Sequence, residues 1–189
     1  MNLQHKIAVW IAGHLETKQN ESKENTLLFI YGIEVFLNEF YKLITAWGIG
    51  LLVGKLKEVV FATFFLLLMR NIAGGIHFKS NFICFITSVM AIVLPSVIGS
   101  FFILPMEYFF IIFSIECITL FIVSPYFKNN SLRGIQKWVR KSVIVYIYII
   151  GTLWFLYGQN WTYINMIFII TAIEIVSLLG KRDDSRKSF

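Results

Sequence analysis

Long apolar stretches broken by short polar or basic connections make up most of the chain, at about Thr26 to Gly54, Val59 to Met69, Phe82 to Phe102, Tyr108 to Phe127, Val143 to Tyr157 and Trp161 to Leu179. A helix needs roughly 20 residues to cross a hydrocarbon core about 30 Å thick. The pattern therefore predicts an all-α, polytopic integral membrane helical bundle of about six transmembrane helices. The second stretch is long enough only if Leu56 to Glu58 and Arg70 to Ala73 extend it at the two interfaces. The connections near Pro105 and Gly158 are short, which predicts antiparallel hairpins there. Ahead of the bundle, Leu3, Ile7, Ile11 and Leu15 recur every four residues with Trp10 beside them, while Gln4, Lys6 and His14 lie elsewhere around the helix. This is the pattern of an amphipathic helix over residues 1–18, either lying in the membrane interface or packed on the protein as a soluble helix. The apolar run Ile7 to Ala12 is about half the usual core of a signal peptide, so cleavage is not expected. The expected organisation is one membrane domain, 1–189, with the bundle at 26–180 and a charged tail at 181–189.

Composition agrees. The 189 residues are 57% hydrophobic and 15% charged, against roughly 45–50% and 25% in soluble domains. The net charge of +6 does not point to nucleic acid, because the basic residues sit between apolar stretches, where they set topology and meet anionic lipid. By the positive-inside rule the N-terminus, the Arg70 to Ser80 connection, the basic Lys128 to Lys141 loop and the C-terminal tail are cytoplasmic. Lys55 and Lys57 disagree, with Glu58 beside them. The first stretch carries Glu34, Asn38, Glu39 and Lys42, and ionisable groups at membrane depth normally face the bundle interior. No internal repeat and no pair of broken helices marks an inverted-repeat transporter.

Candidate chemistry concentrates in one segment, Arg70-Asn71-Ile72-Ala73-Gly74-Gly75-Ile76-His77-Phe78-Lys79-Ser80-Asn81-Phe82-Ile83-Cys84. Gly74-Gly75 ends a helix, because paired glycines reach positive φ freely. Ser80 or Asn81 offers an N-cap for the next helix, which places Cys84 near its first turn. On one unbroken helix His77 and Cys84 would lie about 10 Å apart; a break between them lets the imidazole fold back to the sulfur. An imidazolium and a helix N-terminus both favour thiolate over thiol, so Cys84 would act as nucleophile and His77 as its proton carrier. Arg70 then serves to bind a substrate carboxylate or the developing oxyanion, or it only anchors a helix end, as Lys79 also would. Glu34 either orients His77 or makes an interhelical hydrogen bond or ion pair. Cys84 and Cys117 lack metal-ligand or CxxC spacing, so no metal, disulfide or cofactor is expected, and Cys117 reads as a packing residue.

The run Arg70, Ala73-Gly74-Gly75, His77 and Cys84 resembles the signature of the accessory gene regulator B family. The likeness extends to the amphipathic N-terminus, Tyr31-Gly32-Ile33-Glu34, the basic segment after Pro125 and the charged tail. It departs at Phe78, where a small residue is commoner, and after Pro125, where Tyr126-Phe127-Lys128 replaces an acidic or small polar run. The resemblance implies a membrane cysteine endopeptidase that trims a small propeptide into a cyclic quorum-sensing pheromone in Gram-positive bacteria. It makes Cys84 the nucleophile and His77 its partner, with Arg70, Gly75 and Glu34 in support, and it implies a homodimer. Substrate contacts would fall to Lys79, Lys128, Arg133 and Lys137, facing an acidic propeptide tail, and to the N-terminal helix. The rival from a different class is a small transporter or channel in which Glu34, Glu39, Lys42 and His77 line a path for ions or peptide.

Overall fold

The structure is a computed structural model that describes residues 3–16, 23–73, 81–101, 103–124 and 134–186. Among the described residues every regular element is a helix: α1 (Leu3–Glu16), α2 (Lys23–Leu52), α3 (Leu56–Ala73), α4 (Asn81–Ile98), α5 (Met106–Val123), α6 (Gly134–Tyr157) and α7 (Trp161–Arg186). An N-terminal helix and six further helices thus follow one another in the order the hydropathy pattern predicts. Three of them, α5, α6 from Ile135 and α7 to Gly180, are long and apolar enough to cross a membrane, while the apolar stretch of α4, Phe82–Ile98, is shorter. The protein is an all-α membrane protein. In α2 the apolar character is diluted by Glu34, Glu39 and Lys42, and the 18 residues of α3 give a helix of about 27 Å, just short of the hydrocarbon thickness.

The chain divides into two compact units, Met1–Thr45 and Ala46–Phe189, with the boundary inside α2. In the first, Ala8 of α1 is buried, Ile7 and Ile11 are half-buried, and Lys6, Val9 and Trp10 are exposed. The Ile7 and Ile11 stripe is as expected, but Trp10 stands off it. On α2 the buried Lys42 pairs with Glu39 one turn earlier, Nζ to Oε1 2.6 Å.

The second unit is built around α7. Of its spanning window 56% is buried, against 17% for each of α5 and α6, so α7 is the central helix and the other two present most of their apolar surface outward. It packs against α3, α4, α5 and α6. Ile164, Met166, Ile167, Ile170 and Leu178 of α7 join Phe65, Leu66 and Met69 of α3, Phe109 and Leu120 of α5, and Ile144 and Tyr148 of α6 in one core. The turn at Gly158 to Asn160 makes α6 and α7 an antiparallel hairpin, and a Cβ on Gly151 would touch Ile167, each six residues from its end of the turn. The hairpin expected near Pro105 is not found: α4 and α5 do not pack on each other among the described residues, because α7 lies against both.

Two boundaries also differ from expectation. The basic segment read as a loop to Lys141 is helical from Gly134, so Lys137, Arg140 and Lys141 form the first two turns of α6. The tail expected from residue 181 continues α7 to Arg186. Where α2 meets α3 the reading holds. Gly54 at φ +71° closes α2, with its N–H donating to Leu51 O at 3.2 Å and the Lys55 N–H donating to Gly50 O at 2.7 Å, the paired bonds of a Schellman cap.

Candidate active site

The helix break before Cys84 is the geometric point on which its chemistry depends. On one continuous helix, Arg70 and Ser88 would stand about 27 Å apart. Instead Arg70 Nη1 donates to Ser88 Oγ at 3.3 Å, and α3 and α4 pack side by side. The two helices are therefore separate and fold back on each other. Since α4 begins at Asn81, Cys84 is the fourth residue of that helix, within its first turn, and its side chain is buried.

Cys84, Ser88 and Ala91 follow at spacings of four and three, so they share one face of α4. Ser88 lies one turn, about 6 Å, along the axis from Cys84. From α3, Arg70 reaches this face and also crosses to α7, where its Nε donates to Glu174 Oε1 at 2.8 Å. The Glu174 side chain is 1% exposed and that of Arg70 26%. A carboxylate so deeply buried is stable only with a close counter-charge, and Arg70 supplies it.

Beside this pair is a cavity of about 300 Å³ lined by Arg70, Thr87, Ser88 and Ala91 on one side and by Ile173, Val176 and Ser177 of α7 on the other. Its walls are mostly apolar. Thr87 turns its hydroxyl back to Ile83 O at 2.8 Å. Ser177 Oγ is buried and makes no hydrogen bond among the described residues. The arrangement offers one buried thiol, one guanidinium bonded at two points, and a small apolar recess one to two helical turns from the sulfur.

Of the other candidate residues of the sequence, Glu34 is half-buried on α2 in the first unit, and Lys137 is half-buried in the first turn of α6. Cys117 is half-buried on α5. His77, Gly75, Lys79, Lys128 and Arg133 lie outside the described residues. Neither Glu174 nor Ser88 was singled out. An acidic residue amid Ile170 to Leu179 carried a signal, since ionisable groups at membrane depth face the interior, but nothing local named Arg70 as its partner.

The sequence profile of the accessory gene regulator B family matches residues 5–178, nearly the whole chain. The chain belongs to the accessory gene regulator B family. Arg70, Cys84 and Glu174 all fall within the matched span. Accessory gene regulator protein B of Staphylococcus carnosus (strain TM300) is 32% identical over 92 residues, covering 49% of this chain and 48% of that protein. The protein of the same name from Staphylococcus saprophyticus is 33% identical over 91 residues, covering 47% of each. The chain thus spans about half the length of the curated relatives it matches. No solved structure matches it.

Proposed function

We propose that the protein is a membrane-embedded cysteine endopeptidase of accessory gene regulator quorum sensing, which removes the C-terminal tail of a small propeptide and promotes closure of the remaining peptide into a ring. The observation that carries this reading is Cys84 in the first turn of α4, on the face that Arg70 meets through Ser88, in a chain of this family. Cys84 Sγ attacks the carbonyl carbon before the tail while His77 takes the thiol proton. The tetrahedral intermediate then collapses, the C–N bond breaks, and His77 returns the proton to the departing amine, leaving an acyl-enzyme thioester. A Cys or Ser side chain within the bound peptide gives its proton to His77 and attacks the thioester carbonyl; the bond from that carbon to Cys84 Sγ breaks, which frees the thiolate and closes a thiolactone or lactone. Intramolecular attack has a high effective concentration, and a partly dry site slows hydrolysis, so closure outruns water.

In this reading the protein sits in the bacterial cell membrane as a multi-pass bundle. Both termini and the active site are at the cytoplasmic side, and the protein works as a homodimer with no cofactor. Gly75 and Glu34 act in support of the Cys84 and His77 pair, and Lys79, Lys128, Arg133 and Lys137 draw in an acidic propeptide tail. The pairing of Glu39 with Lys42 within one turn of α2 accounts for two of the charges a transport path would need. Co-expression with the cognate propeptide tests the reading. Mass spectrometry should find tail cleavage and a propeptide adduct on the parent chain, and neither with Cys84→Ser nor with His77→Ala at equal membrane level. Undiminished cleavage by Cys84→Ser would overturn the cysteine mechanism.

A further inference from the structure

We propose that Glu174 is the positioning residue of this site: it holds Arg70 in a charge-compensated state, so that the cavity between α3, α4 and α7 accepts an apolar propeptide residue and rejects an acidic one. The inference rests on the cysteine chemistry proposed above and adds to it what the site selects.

A guanidinium has five N–H donors in a rigid fork. Here Nε is taken by Glu174 and one Nη1 hydrogen by Ser88, while Arg70 still lines the cavity. The fork is therefore fixed at two points and has donors left for a ligand oxygen. Which oxygen it suits follows from the charge. Arg70 and Glu174 sum to zero, so an incoming carboxylate would sit against Glu174 as a like charge with little net attraction to offset its desolvation. A peptide carbonyl accepts the same N–H without that penalty. Arg70 thus favours the backbone of the substrate over a carboxylate side chain, which sets aside the substrate-carboxylate role its sequence position allowed.

The walls agree. Ala91, Ile173 and Val176 are apolar, and the hydroxyl of Thr87 is turned back to its own helix, so the recess suits an apolar side chain whose carbonyl rests on Arg70. Its distance from the sulfur limits which residue enters. Ser88 and Ala91 stand about 6 and 10 Å along α4 from Cys84, and an extended peptide advances about 3.3 Å per residue. The occupant lies within about three positions of the bond that is cut.

Propeptides in which each of the three residues on either side of the cut is changed in turn to Ala, Leu, Asn or Asp are co-expressed with the parent chain. Cleavage by the parent chain is scored first; its absence sinks the proposed function itself. Given cleavage, one position should accept Leu and disfavour Asp against Asn. In Glu174→Gln the Asp-to-Asn ratio at that position alone should rise about tenfold or more, because the guanidinium is no longer compensated. Glu174→Asp, which keeps the charge, should keep the parent ratio. A uniform fall in cleavage with unchanged ratios, or no discriminating position, overturns the proposal and leaves Glu174 a structural residue. Should Glu174→Gln fail to accumulate, Ala91→Leu decides: narrowing the recess must penalise Leu more than Ala at the same propeptide position, and an equal loss for both overturns it.

Discussion

Between α5 and α6, Tyr148 donates its hydroxyl to Glu116 Oε2 at 2.7 Å, and both side chains are buried. The Tyr148 ring also stacks on Phe113 with centroids 5.4 Å apart, so the phenol is held by packing and by a hydrogen bond together. Tyr148→Phe preserves the packing and deletes only the hydroxyl, leaving the Glu116 carboxyl with one fewer partner where water does not reach. The expected loss is about 1–3 kcal/mol, and replacing both partners by apolar groups of similar shape should cost less than the single change. Thermal unfolding of Tyr148→Phe, Glu116→Leu and the double variant in one detergent checks this as a cycle, and additive losses would mean the bond contributes nothing of its own. The same residue scale shows what the sequence reveals and what it hides. Arg70, His77 and Cys84 are legible because they crowd into 15 residues around a glycine pair. The Arg70–Glu174 pair spans 104 positions and leaves no spacing to read. Intramembrane carboxylates announce that they face inward; they do not announce whom they face.

Helix crossings are fixed by where a side chain is missing. At the end of α4 a Cβ on Gly99 would lie 2.7 Å from Met166 Cγ, 2.8 Å from Pro95 O and 3.0 Å from Thr162 O. The buried Asn165 of α7 donates from Nδ2 to Gly99 O at 3.1 Å across the same crossing. Two of the three obstructing atoms are backbone and cannot swing aside, so Gly99→Ala must separate α4 from α7 or strain them, costing about 1–3 kcal/mol. Gly48 is the control, since a Cβ there meets nothing within 4 Å; Gly48→Ala in a helix should be neutral or stabilise by up to about 1 kcal/mol. Melting temperatures of the two variants should move in opposite directions or by clearly different amounts, and equal shifts would mean that the crossing at Gly99 has room for a methyl group. The order of helices was legible because apolar runs and Gly54, Gly74-Gly75 and Gly158 punctuate it. Their neighbours were less so. A short connection suggests a hairpin, yet α4 and α5 are parted by α7, whose central place hydropathy does not mark, since the outward-facing α5 is as apolar. The start of α6 is hidden in the sequence because Lys137, Arg140 and Lys141 interrupt hydropathy without interrupting a helix.

At the scale of the whole second unit, the basic first turns of α6 and the candidate site lie at one end, with Lys55 and Lys57 at the other end of α3 from Arg70. Because α6 and α7 form an antiparallel hairpin, Lys141 and Glu174 lie about 24 and 20 Å from the turn at Gly158, at the same end, and Glu174 brings Arg70 and the Cys84 face of α4 there too. Lys141 Nζ sits 5.3 Å from the Phe121 ring centroid and 5.9 Å from that of Trp138, whose rings are 5.6 Å apart. On α5, Phe110, Ile111, Ile115, Ile118 and Ile122 are all exposed, an apolar face suited to lipid tails. An outward apolar face that ends in an aromatic and basic girdle matches a hydrocarbon–headgroup boundary, and anionic headgroups contribute about 1 kcal/mol per basic side chain near the surface. The protein in nanodiscs should therefore unfold at a higher temperature when an anionic phospholipid replaces a neutral one. The variant Lys137→Gln, Arg140→Gln and Lys141→Gln should lose most of that gain while unfolding like the parent in the neutral lipid. Raised salt should shrink the parent's gain in the same direction, because the attraction acts within a Debye length of about 8–10 Å. An identical lipid-dependent gain in parent and variant would mean that the first turns of α6 lie away from the headgroups, and the placement of Cys84 near a membrane surface would lose its main support.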